Sequence, residues 1–187
     1  LTDAGNLFQG TQLGTQDGCS KMIQWMNWMS YDAFVPGVRD FDQGVLNLSR
    51  LSEKAEFPFL AANLKGVNGI KDNKIIDVNG IRIGVIGLIT PFINEGLLPE
   101  NYEGVVVEDL LKTLNEQIAI IRKDVDMIFV LSHLGLPYNR EDEYKKFINK
   151  INKGISVPIR NALELAHYAD DVDAVSYTHL RAHETNS

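Results

Sequence analysis

Residues Lys74–Thr90 read KIIDVNGIRIGVIGLIT. Two β-rich runs flank Asn79-Gly80, and a type I′ turn needs positive φ at both central residues. The spacing therefore predicts a hairpin. Leu111, Leu114, Ile118 and Ile121 follow at helical spacing and predict an amphipathic helix over 107–123. VDMIFVLS, Val125 to Ser132, then reads as a buried strand. Strands alternating with helices predict an α/β sandwich, to which the hairpin adds antiparallel pairing.

The same alternation extends in both directions. Cys19, Met22, Ile23, Met26 and Met29 predict a helix from Asp17 to Met29, with Asp17 as its N-cap and the Met and Trp side chains in the core. Val45, Leu48 and Leu51 mark a second, short helix. Phe57 to Leu64 reads as a strand in which Pro58 must take a first or an edge position. Helices are expected near 141–152, opened by Glu141-Asp142-Glu143, and over 157–168, with Pro158 in the first turn. Val172 to Val175 would be the last strand. Repeats, low-complexity tracts and Gly/Ser linkers are absent from the sequence, so one domain is expected.

Composition narrows the function classes. The chain has 187 residues, 44% hydrophobic and 23% charged, which fits a folded globular protein and not a disordered one. Its formal charge of −7 excludes a bulk attraction to nucleic acid or anionic membrane. No apolar run reaches the roughly 18 residues of a membrane-spanning helix. The first residues lack the pattern of a signal peptide. A single cysteine, Cys19, excludes an intramolecular disulfide framework and a thiolate zinc cluster. Gly84-Val85-Ile86-Gly87 lacks the spacing of a dinucleotide fingerprint.

Ligands of open α/β sheets collect beyond the C-terminal strand ends. Three such loops stand out. They are DAGNLFQGT (Asp3–Thr11), YDAFVPGVRDFD (Tyr31–Asp42) and VLSHLG (Val130–Gly135). His133, just past a buried strand, is either a metal or phosphate ligand or a satisfied core histidine. Asp40 and Asp42 are read as loop-shaping acceptors of turn hydrogen bonds. His167, on a helix among Leu163, Leu165 and Ala166, is read as structural or surface.

In this order, and with FPFLAANL and IGVIGLITP between them, the loops resemble the bacterial 5′-nucleotidase family in its N-terminal, calcineurin-like metallophosphoesterase domain. The resemblance covers about residues 1–175. It implies a four-layer αββα sandwich, incomplete at both ends, and two divalent metal ions (Mn, Zn, Mg or Ca) that activate water for attack on phosphorus. It further implies hydrolysis of a nucleotide or related phosphate monoester to alcohol and phosphate. A C-terminal nucleotidase domain in a longer chain and a periplasmic or cell-surface location are implied as well.

Carried over residue by residue, the resemblance makes Asn6 and His133 the metal residues. Asn6 stands where the family has a bridging Asp. Val38 stands at an Asn ligand and coordinates nothing. Arg39 stands at the catalytic His; it shuttles no proton but pairs well with phosphate, which makes it a substrate-binding residue. The upstream D-x-H motif is expected before Leu1. The downstream G-H-[ST]-H motif falls on His179 and Arg181. Two functional expectations follow, a phosphoester hydrolase with reduced or shifted activity and an inactive pseudophosphatase retained for phosphate-ligand binding or scaffolding. Residues 176–187, SYTHLRAHETNS, are expected to be non-native or disordered.

Overall fold

The computed structural model describes residues 1–177. Among them the strands are β1 (Thr2–Asp3), β2 (Ala33–Phe34), β3 (Phe59–Leu60), β4 (Leu64–Lys65), β5 (Ile70–Lys71), β6 (Asn73–Val78), β7 (Ile81–Ile89), β8 (Val106–Val107), β9 (Met127–His133) and β10 (Ala174–Tyr177). The helices are α1 (Gln12–Thr15), α2 (Ser20–Trp28), α3 (Val45–Lys54), α4 (Leu110–Ile121), α5 (Arg140–Asn152) and α6 (Ala162–Ala166).

One sheet has the order β1-β2-β3-β5 and is parallel throughout. The second has the order β10-β9-β7-β6, parallel except for the β6–β7 hairpin. β4 and β8 form a small antiparallel ribbon. Apolar side chains divide into three layers. Ile23, Met26, Leu48 and Leu51 cover the outer face of the first sheet at Phe34 and Phe59. Leu114, Ile118, Ile121 and Leu165 cover the second sheet at Ile86, Ile128 and Val130. Ala4, Ala33, Val35, Leu60, Val85 and Leu131 fill the space between the sheets. Helix, sheet, sheet and helix thus stack as the expected αββα sandwich.

The sheets approach closely at Gly87. A Cβ on Gly87 would run into Leu60. Alternation along a strand sends Gly84 the other way, where a Cβ would lie 2.6 Å from Ile121 Cδ1 of α4. The two glycines of GVIG therefore serve packing on opposite faces of β7. Asn79 and Gly80 have φ of 55° and 88°, as the hairpin turn requires.

Four boundaries differ from expectation. α2 starts at Ser20, not Asp17, because Asp17, Gly18 and Cys19 have φ of 51°, 60° and 70°, which no helix accepts. Phe57–Leu64 yields β3 and β4 rather than one strand. The chain bends at buried Asn63, whose amide donates to Ile89 O and accepts from Ile89 N. β3 is an interior strand, but Pro58 precedes it and only its carbonyl is used, accepting from Phe34 N. The helix expected over 157–168 begins at Ala162, capped by Asn161, whose side chain accepts from Glu164 N. Pro158 lies outside it. The last strand runs to Tyr177, so Ser176 and Tyr177, assigned above to the tail, pair with Leu131 and Ser132. His179, Arg181 and His183 lie outside the described residues.

Candidate active site

The three loops meet at the C-terminal ends of β1, β2 and β9. Asp40, buried in the 3₁₀ turn Val38–Phe41, ties the first two together. Its Oδ2 accepts from Asn6 N and Gly37 N, both at 2.7 Å, and its Oδ1 accepts from Phe8 N at 2.9 Å. Burial pushes its carboxyl up to about 6 against the pull of those three N–H donors. Asp3 does the same on a smaller scale, accepting from Gly5 N at 2.8 Å, with its pKa raised by burial. The loop-shaping role read for Asp40 is thus the geometry found. Asp42 has an exposed ion pair with Arg39 at 3.7 Å.

Asn6 has φ of 64° and turns its side chain toward the second loop. Its Oδ1 accepts from Arg39 N at 2.9 Å. His133 is fully buried at the end of β9, and its Nδ1–H donates to Ala4 O at 2.5 Å. A carbonyl only accepts, so the proton is on Nδ1 and Nε2 carries a lone pair. Nε2 is buried without a hydrogen-bond partner among the described residues. Burial lowers the pKa of this imidazole, which keeps it neutral. Gly37 separates the two side chains. A Cβ there would lie 2.5 Å from His133 Cε1, 2.6 Å from Asn6 N, and against Asn6 Oδ1. The guanidinium of Arg39 reaches outward to Gly96 O at 3.2 Å. Asn6, Arg39 and His133, separated by up to 127 positions, are neighbours in space.

The donor set does not fit two divalent ions. Asn6 Oδ1 is engaged by a backbone N–H and carries no charge. Val38 is apolar and buried. Among the described residues no group of three or more His, Cys, Asp or Glu converges on a point. His133 Nε2 remains as one neutral ligand atom. Gly37 was not singled out from the sequence; its signal is a glycine beside Pro36, inside the loop that carries Arg39.

The fold, an αββα sandwich with its loops gathered at the strand ends, is that of the calcineurin-like phosphoesterases. No protein-family model matches the chain. It is 30% identical to the trifunctional nucleotide phosphoesterase YfkN of Bacillus subtilis over 162 residues, covering 73% of the chain and 11% of that protein. It is 30% identical to the 5′-nucleotidase of Bos taurus over 173 residues, covering 85% of the chain and 28% of that protein. The crystal structure of YfkN from B. subtilis superposes with a TM-score of 0.71 at 28% identity, over 96% of this chain and 57% of that one. A 5′-nucleotidase precursor from Thermus thermophilus gives 0.62 at 29%, over 77% and 29%. The chain belongs to the 5′-nucleotidase family of calcineurin-like phosphoesterases, a phosphoester-hydrolase family that normally binds divalent metals, and it spans about a quarter or less of the two sequence relatives.

Proposed function

We propose that the chain forms the phosphate-receiving part of a hydrolase that converts nucleotides or related phosphate monoesters to alcohol and phosphate. The observation that supports this is the meeting of Asn6, Arg39 and His133 at the strand ends. Arg39 is the group that would pair with the ester's phosphate, since its side chain is half exposed while its backbone holds the loop. A guanidinium binds phosphate oxygens bidentately through charge-assisted hydrogen bonds. His133 Nε2, neutral and without a hydrogen-bond partner among the described residues, is the atom that would take a metal ion, with Asn6 as a weaker partner through its amide oxygen. Divalent metals supply charge neutralisation and an activated water in such enzymes. The residues described here provide too few donors for two of them, so no metal-dependent step is derived. A C-terminal domain that holds the nucleoside is part of the same proposal.

A second reading, binding without hydrolysis, is favoured by one observation, the engagement of Asn6 Oδ1 by Arg39 N. The matched relatives lend it nothing, as their names are those of phosphoesterases. Metal content and AMP hydrolysis of the 187-residue chain, measured with Mn²⁺ or Zn²⁺ beside the variant Asn6→Asp, Val38→Asn, Arg39→His, separate the two readings. Under the second, the wild type binds less than one metal ion per chain and turns over little, and the triple variant gains metal. Two bound ions with robust turnover in the wild type would sink it.

A further inference from the structure

The loop that leaves β7, residues 90–98, is touched by two arginines from opposite halves of the sandwich. Arg39, from the first sheet, donates to Gly96 O at 3.2 Å. Arg160 comes from the second sheet's side, where its guanidinium carbon lies 4.7 Å over the ring of Phe92. Phe92 and Gly96 are close in space because Glu95 N donates to Phe92 O at 3.0 Å, closing a turn between them. The turn itself stands beside His133, since Ile89, its last strand residue, pairs with His133 in register. Arg160 is anchored to the same place: Ala162 N donates to Gly135 O at 3.0 Å.

We propose that Arg160 is a specificity-determining anion-binding residue which, with Arg39, receives phosphate esters carrying a second anionic group. This rests on the reading of Arg39 as the phosphate-binding residue. Three observations carry it. First, among the described residues no carboxylate lies within 4.0 Å of the Arg160 guanidinium, and none of its N–H groups has a protein acceptor. Second, the guanidinium carbon lies over the Phe92 ring, a cation–π contact that restrains the side chain without using its N–H donors. Third, the two side chains meet one turn, Arg39 at Gly96 and Arg160 at Phe92. Three acids oppose them. Asp42 pairs with Arg39 at 3.7 Å and competes for its guanidinium. Glu164 is close, but its carboxylate is engaged in accepting Arg160's own backbone N–H at 2.7 Å. Glu95 is exposed on the turn and repels an incoming anion.

The test is calorimetric titration of the 187-residue chain with inorganic phosphate and with inorganic pyrophosphate, in EDTA so that no metal contributes. The expected result is tighter binding of pyrophosphate. Arg160→Gln should weaken pyrophosphate about tenfold and phosphate less than about twofold, the loss of one charge-assisted bidentate contact. Glu95→Gln should tighten pyrophosphate about twofold to threefold through removal of a partly screened like charge. Lys112→Gln, exposed on α4, should change neither. An unchanged pyrophosphate-to-phosphate ratio in Arg160→Gln, or an equal loss in Lys112→Gln, overturns the proposal. Arg39→Gln separates the underlying reading: if phosphate binding survives it unchanged, or if the wild type binds neither anion, that reading fails and the pair with it.

Discussion

Replacing Gly37 by Ala tests how tightly the candidate site is built. Its φ of −94° and ψ of 175° suit alanine, so the substitution carries no backbone strain. The methyl group would nevertheless lie 2.6 Å from Asn6 N and 2.5 Å from His133 Cε1. Neither neighbour yields easily. Asn6 N is held by Asp40, and His133 is held by Ala4 O. Overpacking alone costs about 1–3 kcal/mol. Breaking the Asn6 N–H bond to Asp40 adds about 1.5–3 kcal/mol. For a chain of this size each kcal/mol lowers Tm by about 2–4 °C, so a fall on the order of 10 °C is expected in a thermal melt followed by circular dichroism. Gly10→Ala is the contrasting control. Gly10 has φ of +77° but nothing within 4 Å of its added Cβ, so only backbone strain of about 1–2 kcal/mol applies. If Gly37→Ala melts no lower than Gly10→Ala, the close approach of the three loops is wrong.

Two further outcomes concern Asp40 and α4. The carboxyl of Asp40 stands at about 6 in the folded protein against an ordinary 3.8, so the folded state takes up a proton as pH falls through 6. That contribution to stability grows on acidification and is lost as pH rises through 6. The stability difference between wild type and Asp40→Asn in urea melts should therefore shift toward the wild type, by on the order of 1 kcal/mol, between pH 7.5 and pH 5; a difference independent of pH would show that Asp40 does not titrate there. Asp109→Ala removes the side chain that accepts from Lys112 N at 2.8 Å and should destabilise the domain by about 0.5–2 kcal/mol, read as a lower urea midpoint at unchanged slope.

The alternation of strands and helices was legible because periodicity carries it, whereas the four layers were implied by the family resemblance. KIIDVNGIRIGVIGLIT specified its hairpin, and the stripe at Leu114, Ile118 and Ile121 specified which face of α4 lies on the second sheet. Boundaries were less legible where side chains overrode propensity. Asp17 looks like an N-cap, but a left-handed run ending at Cys19 delays α2, and Asn63 breaks an apolar run that has no other punctuation. Of the candidate site, the order of the three loops was readable, and Asn6, Arg39 and His133 fall near one another in the structure. Their contacts were not readable, because Asn6 meets the backbone of residue 39 and His133 meets the carbonyl of residue 4. Backbone partners leave no mark on residue identity. Arg160 and Phe92 had no signal at all, since a stacked pair 68 positions apart follows no local period.

The hydrogen bond from Arg39 N to Asn6 Oδ1 has a consequence for how this domain varies. Because the donor belongs to the main chain, the fastening of the two loops is indifferent to which side chain stands at position 39. Chemistry at that position is uncoupled from architecture. A histidine, an arginine or a neutral residue there would hang from the same frame, so catalytic character can drift through this one position while the scaffold stays under no pressure to change. Position 6 lacks that freedom, since its side chain is itself the fastener.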